Sequence, residues 1–269
     1  MHPRPTISAT VAALLTCLSA CGSTTGYSFE QTAADAVQLV DPGDLTVCSD
    51  VPYPPFEDFD EAAPSGFGGF DIDVIGYVAR RLELNLVIKD SDFDALQSGL
   101  LLATKKCDLG ASAMTITDER KKHLLFSDGY YKSKQSLLVP AGSSIKSIAD
   151  LAGKKVGVQR GTTGESYTKE HAPDAKRIQF KDDGTMYLAL KAGTIDAILQ
   201  DLPVNLDHQN DPKEPGKFTV VETYDTAEEY GFAAAKDNTK LIDAVNKALA
   251  DMKAAGTYQS IYDTYFAVK

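Results

Sequence analysis

Tryptophan is absent from the 269 residues, and histidine and cysteine occur only four times each, so donors for a metal centre or for histidine-based catalysis are scarce. Basic charge is also short. Thirty-eight acidic against 27 basic side chains give a net charge of −11, which argues against a surface built to grip nucleic acid. No apolar run reaches the length of a membrane span, the stretch from Val11 to Leu18 being too short. HExxH, paired metal-ligand spacings and a dinucleotide fingerprint are missing. His123 follows a helical run, His171 ends one and His208 lies in polar sequence, none beside a serine or cysteine in a nucleophile motif. The reading is therefore of a non-enzyme with no catalytic residue, no cofactor and no metal. What is present is ordinary globular material: 43% hydrophobic and 24% charged residues predict a packed soluble core, and the length admits two medium-sized domains.

The N-terminus has the pattern of an export signal over residues 1–20, with Arg4 and His2 ahead of an apolar stretch that ends in small residues. Leu18-Ser19-Ala20-Cys21 resembles a bacterial lipobox, in which cleavage precedes the cysteine and Cys21 receives lipid; the alternative is an ordinary secretion signal. Ser/Thr/Gly-rich sequence then predicts a tether, so that residues 21–43 form a lipidated N-terminus. Removal of Arg4 takes the charge from −11 to −12. Two cysteines then remain, Cys48 and Cys107, and export permits either a disulfide or two buried thiols. A bridge closing about 60 residues stabilises by about 4 kcal/mol in the chain-entropy model.

From Leu45 onward short β-type runs alternate with helical patterns. Strands are expected at Leu45 to Ser49, Leu84 to Ile88 and Asp108 to Ala111, with helices at Asp71 to Leu82 and Phe93 to Ala103. Beyond Pro140 the rhythm repeats: strands at Val156 to Gln159, Arg177 to Phe180 and Ala197 to Leu199, helices at Glu165 to His171 and Gly184 to Ala192. The segments Leu100 to Asp108 and Leu188 to Asp196 each end a helix, turn, and launch a strand from an aspartate. Five residues on stand Ala113 and Asp201. Gln135 to Val139 and Tyr230 to Ala234 read as extended crossings, and Asn238 to Met252 and Tyr258 to Phe266 as terminal helices packed on the first lobe. An α/β protein of two lobes follows, each a mostly parallel sheet flanked by helices, joined by two hinge strands. Residues 44–133 plus 228–269 form one lobe and 134–227 the other.

The crevice at strand C-termini is where such sheets bind ligands. Arg120, in a Thr117-capped segment, offers a planar fork for a carboxylate that lysine cannot reproduce; its plain alternative is a short capped helix. Gln159 to Gly164 joins a strand to a helix and presents backbone N–H groups and hydroxyls, but it lacks the lysine of a phosphate loop. Asp50 and Asp201 fall beside strand ends, with Tyr53, Phe56 and Phe93 in nearby connections. Together these describe a pocket for a zwitterion. Asp71 and Asp73, by contrast, read as helix-start residues.

Six blocks carry a resemblance: Asp50–Phe56 (DVPYPPF), Gly69–Val74 (GFDIDV), Ser112–Arg120 (SAMTITDER), Phe126–Tyr130 (FSDGY), Val156–Thr163 (VGVQRGTT) and Gly193–Asp201 (GTIDAILQD). In order and spacing they resemble the polar amino-acid-binding proteins of ABC importers, the extracellular solute-binding proteins of family 3, over Leu45 to Phe266. The resemblance implies a periplasmic-binding-protein-like fold. It also implies that Arg120 clamps the ligand α-carboxylate with the backbone or hydroxyls of Thr115 and Thr163. The α-ammonium then falls to the Ala113 carbonyl, the Thr115 hydroxyl and Asp201, where Ala113 replaces a serine of some relatives. Side-chain selectivity rests with Asp50, Tyr53, Phe93 and Gln159, and a basic amino acid (arginine, lysine or histidine) is the expected ligand, with glutamine as the alternative.

The implied partners are a small-molecule amino acid, a membrane permease of an ABC transporter and a lipid anchor at the outer face of the cytoplasmic membrane or in the periplasm. The protein is expected as a monomer without nucleic acid. A ligand sensor and a dehydratase-like enzyme on the same architecture are the other classes the residues leave open.

Overall fold

The computed structural model describes residues 37–267; the 1–20 signal segment, Cys21 and most of the 21–43 tether lie outside them. Among the described residues, no helix is long and apolar enough to cross a membrane.

Two five-stranded sheets form the frame. In the first, β1 (Asp44–Ser49) pairs in parallel with β4 (Asn85–Asp90) on one side and β5 (Leu109–Gly110) on the other; β12 (Ala233–Ala235) and β6 (Leu124–Phe126) then complete the sheet antiparallel. In the second, β8 (Lys155–Gln159) pairs in parallel with β9 (Lys176–Phe180) and β10 (Ala197–Asp201), and β7 (Tyr131–Pro140) and β11 (Phe218–Tyr230) add antiparallel. Each sheet is thus half parallel: the βαβ units supply the parallel pairs, and β12 with β6 in one sheet and β7 with β11 in the other add the antiparallel ones. A small hairpin, β2 (Asp58–Phe59) with β3 (Phe67–Gly68), stands apart.

The strand order β4-β1-β5 in one lobe is matched by β9-β8-β10 in the other. The repeated helix-turn-aspartate signature has a shared cause. Asp108 accepts from the Thr46 N–H at 2.8 Å and Asp196 from the Lys155 N–H at 2.7 Å, so each ties its strand to the start of the central one. Both chains then deliver their strand ends to a switch point, where chain direction opens a crevice.

Alternation along the strands feeds cores on both sheet faces. Leu137, Val139, Ala197 and Leu199 face one cluster of the second lobe, while Leu138 and Ile198 face another built on Met186 and Leu190 of α5 (Asp183–Lys191). In the first lobe α1 (Phe70–Arg81) buries Ile72, Ile75 and Val78. With α7 (Thr239–Ala254), whose buried Leu241, Val245, Ala248 and Met252 recur at helical spacing, it covers Leu45, Val47 and Leu109. Full burial of one such leucine or isoleucine stabilises by about 1.5–3 kcal/mol. The C-terminal helix α8 (Thr257–Phe266) adds Tyr262 and Phe266, which meet Phe70 and Tyr131 ring to ring. On the opposite face Cys48 and Cys107 form a disulfide, with Cα atoms 5.7 Å apart.

Three expectations need correction. The helix expected over Phe93 to Ala103 is two, α2 (Phe93–Gln97) and α3 (Leu100–Ala103), because Gly99 takes a left-handed φ of 81° and ends the first. The crossing expected from Tyr230 begins at Phe218 and breaks after Tyr230, so that β11 and β12 belong to different sheets. His208, read as lying in polar sequence, is buried in α6 (Leu202–Gln209), a helix the sequence did not announce. Its Nε2 lies 2.9 Å from Asp183 and its ring stacks on Tyr187.

Candidate functional site

One cleft is lined by Asp50, Tyr53, Phe93, Ser112, Ala113, Thr115, Arg120, Gln159, Thr162, Thr163 and Asp201. All nine residues named from the sequence as ligand contacts lie in it, five of them following the two central strands or the strands beside them. Asp50 leaves β1, Ala113 and Thr115 follow β5, Gln159 ends β8 and Asp201 ends β10. Thr163 opens α4 (Thr163–His171), capped by the Thr162 hydroxyl, which accepts from the Glu165 N–H at 3.1 Å. Helix geometry leaves the first-turn N–H groups there without intrahelical acceptors. Gly161 in this turn has φ 80°, and a Cβ on it would stand 2.8 Å from Asp94 Oδ1 of the other lobe, so only glycine fits.

Arg120 is 5% exposed. Its Nη1 donates to the Thr115 carbonyl at 2.7 Å and its Nη2 to the Gly161 carbonyl at 3.0 Å, one from each lobe, and the guanidinium lies 5.2 Å from the centre of the Phe93 ring. No carboxylate of the described residues forms an ion pair with it. Burial lowers its pKa to about 10 against the attraction of Asp201 and Glu228. The expected Thr117 cap is present, accepting from the Arg120 N–H at 3.1 Å, so the plain structural role and the cleft-facing one coexist.

The acidic side is denser. Asp201 accepts from the hydroxyls of Tyr53 at 2.9 Å and Tyr230 at 2.6 Å and from the Gln135 amide; burial, reinforced by Glu228, pushes it up to about 7. Asp50 accepts from Gln159 Nε2 at 2.5 Å across the cleft, and burial pushes it likewise to about 7 in spite of that bond. A third carboxylate, Glu228 of β11, accepts from the hydroxyls of Thr115 at 2.8 Å and Thr163 at 2.9 Å. A hydroxyl has one proton, so both threonine oxygens retain only acceptor capacity. They suit an ammonium, and a carboxylate in this cleft must draw on backbone N–H groups and Arg120 instead.

Ala113 has φ 43°, a conformation that costs an alanine energy. It is held by Asp71, whose Oδ2 accepts from the Ala113 N–H at 2.8 Å and the Tyr130 hydroxyl at 2.6 Å. Asp71 does sit in the first turn of α1, but it is wholly buried and supports the binding loop, beyond the helix-start role read from the sequence. Next to it Ser112 donates to Glu57 at 2.6 Å and accepts from the Asp50 N–H at 3.0 Å. Glu57, Asp71, Ser112, Gln135, Glu228 and Tyr230 were missed. Ser112 and Asp71 stand in two of the matched blocks, which offered a signal; the rest depend on burial and on a bulge in β11. No group of three or more His, Cys, Asp and Glu among the described residues is arranged to hold a metal ion.

A family model for bacterial extracellular solute-binding proteins, family 3, matches residues 45–268. The chain is 32% identical over 218 residues to the ABC transporter arginine-binding protein 1 of Escherichia coli (strain K12), covering 80% of this chain and 87% of that protein. It is 32% identical over 249 residues to the histidine-binding periplasmic protein of Salmonella typhimurium, covering 87% and 92%. An ancestral arginine-binding protein, solved bound to arginine and again bound to glutamine, matches both times at 38% identity with a TM-score of 0.77, over 84% of this chain and 99% of that one.

Proposed function

The chain belongs to family 3 of the bacterial extracellular solute-binding proteins, with the two-lobed fold of periplasmic binding proteins, and from that premise we propose that it captures a basic amino acid outside the cytoplasm for an ABC importer. Members of the family bind and hand on a solute without transforming it. The observation that carries the ligand class is the charge arrangement of the cleft: one buried guanidinium, fixed by neutral carbonyls and without a carboxylate partner, faces three buried carboxylates. An unbalanced buried cation and an acidic excess are each costly alone. A ligand with one carboxylate and two cationic groups offsets both.

In this reading the α-carboxylate meets Arg120 and the N–H groups at the start of α4, including that of Thr163. The α-ammonium meets Asp201, the Thr115 oxygen and the Ala113 carbonyl. The distal cation lies between Tyr53 and Phe93 and reaches Asp50, freeing Gln159 from it. Because the contacts come from both lobes, ligand binding favours the closed arrangement, which a permease then recognises. Cys21, in its lipobox-like context, anchors the protein by lipid through residues 21–43, and the two lobes divide as 44–133 plus 228–269 and 134–227. Those assignments rest on sequence pattern.

Competition among the twenty amino acids against labelled arginine, followed by calorimetry, tests the ligand class. Arginine, lysine or histidine should bind tightest; preference for an acidic or aliphatic amino acid overturns the reading. Glutamine is the second reading, favoured by one observation: a distal pocket made of the Gln159 amide and a carboxyl titrating at about 7 suits an amide as well as a cation.

A further inference from the structure

Behind the Ser112 and Ala113 turn of the cleft lie two acids, Glu57 and Asp71. Glu57 closes the turn that carries Tyr53, its carbonyl accepting from the Tyr53 N–H at 2.7 Å, and Asp71 stands in the first turn of α1. Backbone bonds bring the two together: the Asp71 N–H donates to the Phe56 carbonyl and the Phe70 N–H to the Pro55 carbonyl, each at 2.9 Å. Gly69 permits that approach, since it has φ 124° and a Cβ on it would stand 2.2 Å from the Phe56 carbonyl oxygen. Both acids are wholly buried.

Each acid holds one residue of the turn. Glu57 Oε1 accepts from the Ser112 hydroxyl at 2.6 Å, and that hydroxyl accepts in turn from the Asp50 N–H at 3.0 Å. Asp71 Oδ2 accepts from the Ala113 N–H at 2.8 Å and from the Tyr130 hydroxyl at 2.6 Å. The bond to Ala113 offsets the cost of its φ of 43° and so fixes the direction of the Ala113 carbonyl. None of these bonds joins the two sides of the cleft, so they hold however far it is closed.

Donors reach only two of the four carboxyl oxygens. Glu57 Oε2 and Asp71 Oδ1 are buried with no hydrogen-bond partner among the described residues. No lysine, arginine or histidine among those residues forms an ion pair with either acid. The groups that face the pair are acids and phenols: Asp50 after β1, Asp201 at the end of β10, Tyr53, Tyr130, Tyr131 of β7 and Tyr258 of α8. Arg120 is attracted by Asp201 and Glu228. Burial, with Asp71 beside it, pushes Glu57 well above the usual carboxylate range, and burial pushes Asp71 up to about 7 in spite of its two donors. Adjacent carboxylates without a counter-charge cannot both ionise cheaply in a dry interior.

We propose that Glu57 and Asp71 form a carboxyl–carboxylate pair that keeps one proton at neutral pH, and that as positioning residues they hold Ser112 and Ala113 so that the Ala113 carbonyl meets the ligand ammonium. The positioning half rests on the amino-acid reading above; the retained proton does not. A single negative charge suffices for the work: the Ala113 and Tyr130 donors need an acceptor at Asp71, while the Ser112 hydroxyl needs only an oxygen at Glu57, charged or neutral.

Thermal melts of the full chain without ligand test the proton. The unfolded chain ionises both acids near about 4, so folding retains a proton that the unfolded state releases, and stability is lost as pH rises. Glu57→Gln keeps an acceptor for Ser112 and removes one acid. Its melting temperature relative to the wild type should therefore climb by about 3 °C per pH unit between pH 5.5 and 7.5. The difference cancels the titration of Asp50 and Asp201, and a merely structural role would leave it flat; a flat difference overturns the pair. Carbon-13 NMR of the unsubstituted protein needs no variant to fold: one carboxyl of the two should remain protonated at pH 7, and both titrating below pH 5 overturns the pair as well.

Calorimetry tests the positioning. Glu57→Ala leaves the Ser112 hydroxyl without its acceptor and should weaken arginine and glutamine alike, by about tenfold, with Glu57→Gln restoring most of the loss. Binding unchanged in Glu57→Ala, a loss confined to arginine, or a loss that Gln does not restore overturns the positioning role. A wild type that binds no amino acid, with the melts as expected, overturns the functional reading and leaves the pair standing.

Discussion

The two ends of the cleft bury charge in opposite ways. Arg120 is held by carbonyls, which orient a guanidinium without neutralising it, and with its pKa at about 10 it remains a cation at neutral pH. Asp50 and Asp201 are held by donors, an amide for one and two tyrosine hydroxyls with an amide for the other, yet both titrate at about 7. The basic end is therefore a fixed charge awaiting a partner, while the acidic end is poised, each carboxyl gaining or losing a proton according to what lies against it. In the proposed reading the α-carboxylate meets a permanent charge at Arg120, while the α-ammonium at Asp201 and the variable group at Asp50 each meet an adjustable one.

The sharpest break of that comparison is Arg120→Ala. It removes the fixed charge while leaving the three carboxylates, so an incoming α-carboxylate would be buried against acids alone. Losses of about 3–5 kcal/mol follow when one partner of a buried charge pair is removed, which is a fall in affinity of at least about a hundredfold. Arg120→Lys should recover little, because a single ammonium cannot keep both the Thr115 and Gly161 carbonyls and still present two parallel donors. Isothermal calorimetry decides the matter, and unchanged arginine affinity in Arg120→Ala would remove the carboxylate clamp from the account.

The acidic end predicts a pH dependence of the next size. A cationic ligand favours the ionised forms of Asp50 and Asp201, so binding below pH 7 must release protons, and affinity for arginine should fall by up to about tenfold per pH unit for each group that has to ionise. Calorimetry at pH 5.5 and 7.5, in buffers of different ionisation heat, reads both the affinity and the proton count; affinity constant over that range would show that neither carboxyl is poised. The ligand-free protein should behave in the opposite sense. The unfolded chain ionises these groups near 3.8 and the folded protein near 7, so between those values the folded state holds protons the unfolded state has released. Their contribution to stability therefore declines as pH rises from about 4 to about 7, and thermal melts with and without arginine should diverge.

How far the sequence led differs between the same two ends. The two-lobed α/β frame was legible because hydrophobic alternation and the Asp108 and Asp196 launches repeat, and those aspartates do the same mechanical work in each lobe. Arg120, Asp50 and Asp201 were legible because they stand at strand ends in matched motifs. Glu228 was not: it lies within a run of alternating exposed residues, and only a left-handed Ala227 turns it inward. Asp71 and Asp73 do open α1 as read, but the second role of Asp71 was not legible, since two acids opening a helix look alike in sequence, while only Asp71 is buried against the Ala113 N–H; Asp73 is exposed and meets the Tyr265 hydroxyl instead. Burial of a polar side chain is a property of what packs over it, and the elements that cover Glu228 and Asp71 come from far along the chain.

The smallest effect, and the one that refines the comparison most, is Asp50→Asn. Asn keeps the size and one acceptor for Gln159 but removes the adjustable charge at the distal end, leaving Arg120 and Asp201 to hold the common part of the ligand. Arginine and lysine should then weaken about tenfold, because their cation meets a neutral amide, whereas glutamine should change by less than about threefold, since its amide can bond to either residue. The measured quantity is the ratio of the two affinities, which cancels any general loosening of the cleft. A ratio that stays at its wild-type value would place the selecting charge elsewhere, and Glu228, the third carboxylate of the site, would be the next position at which to look for it.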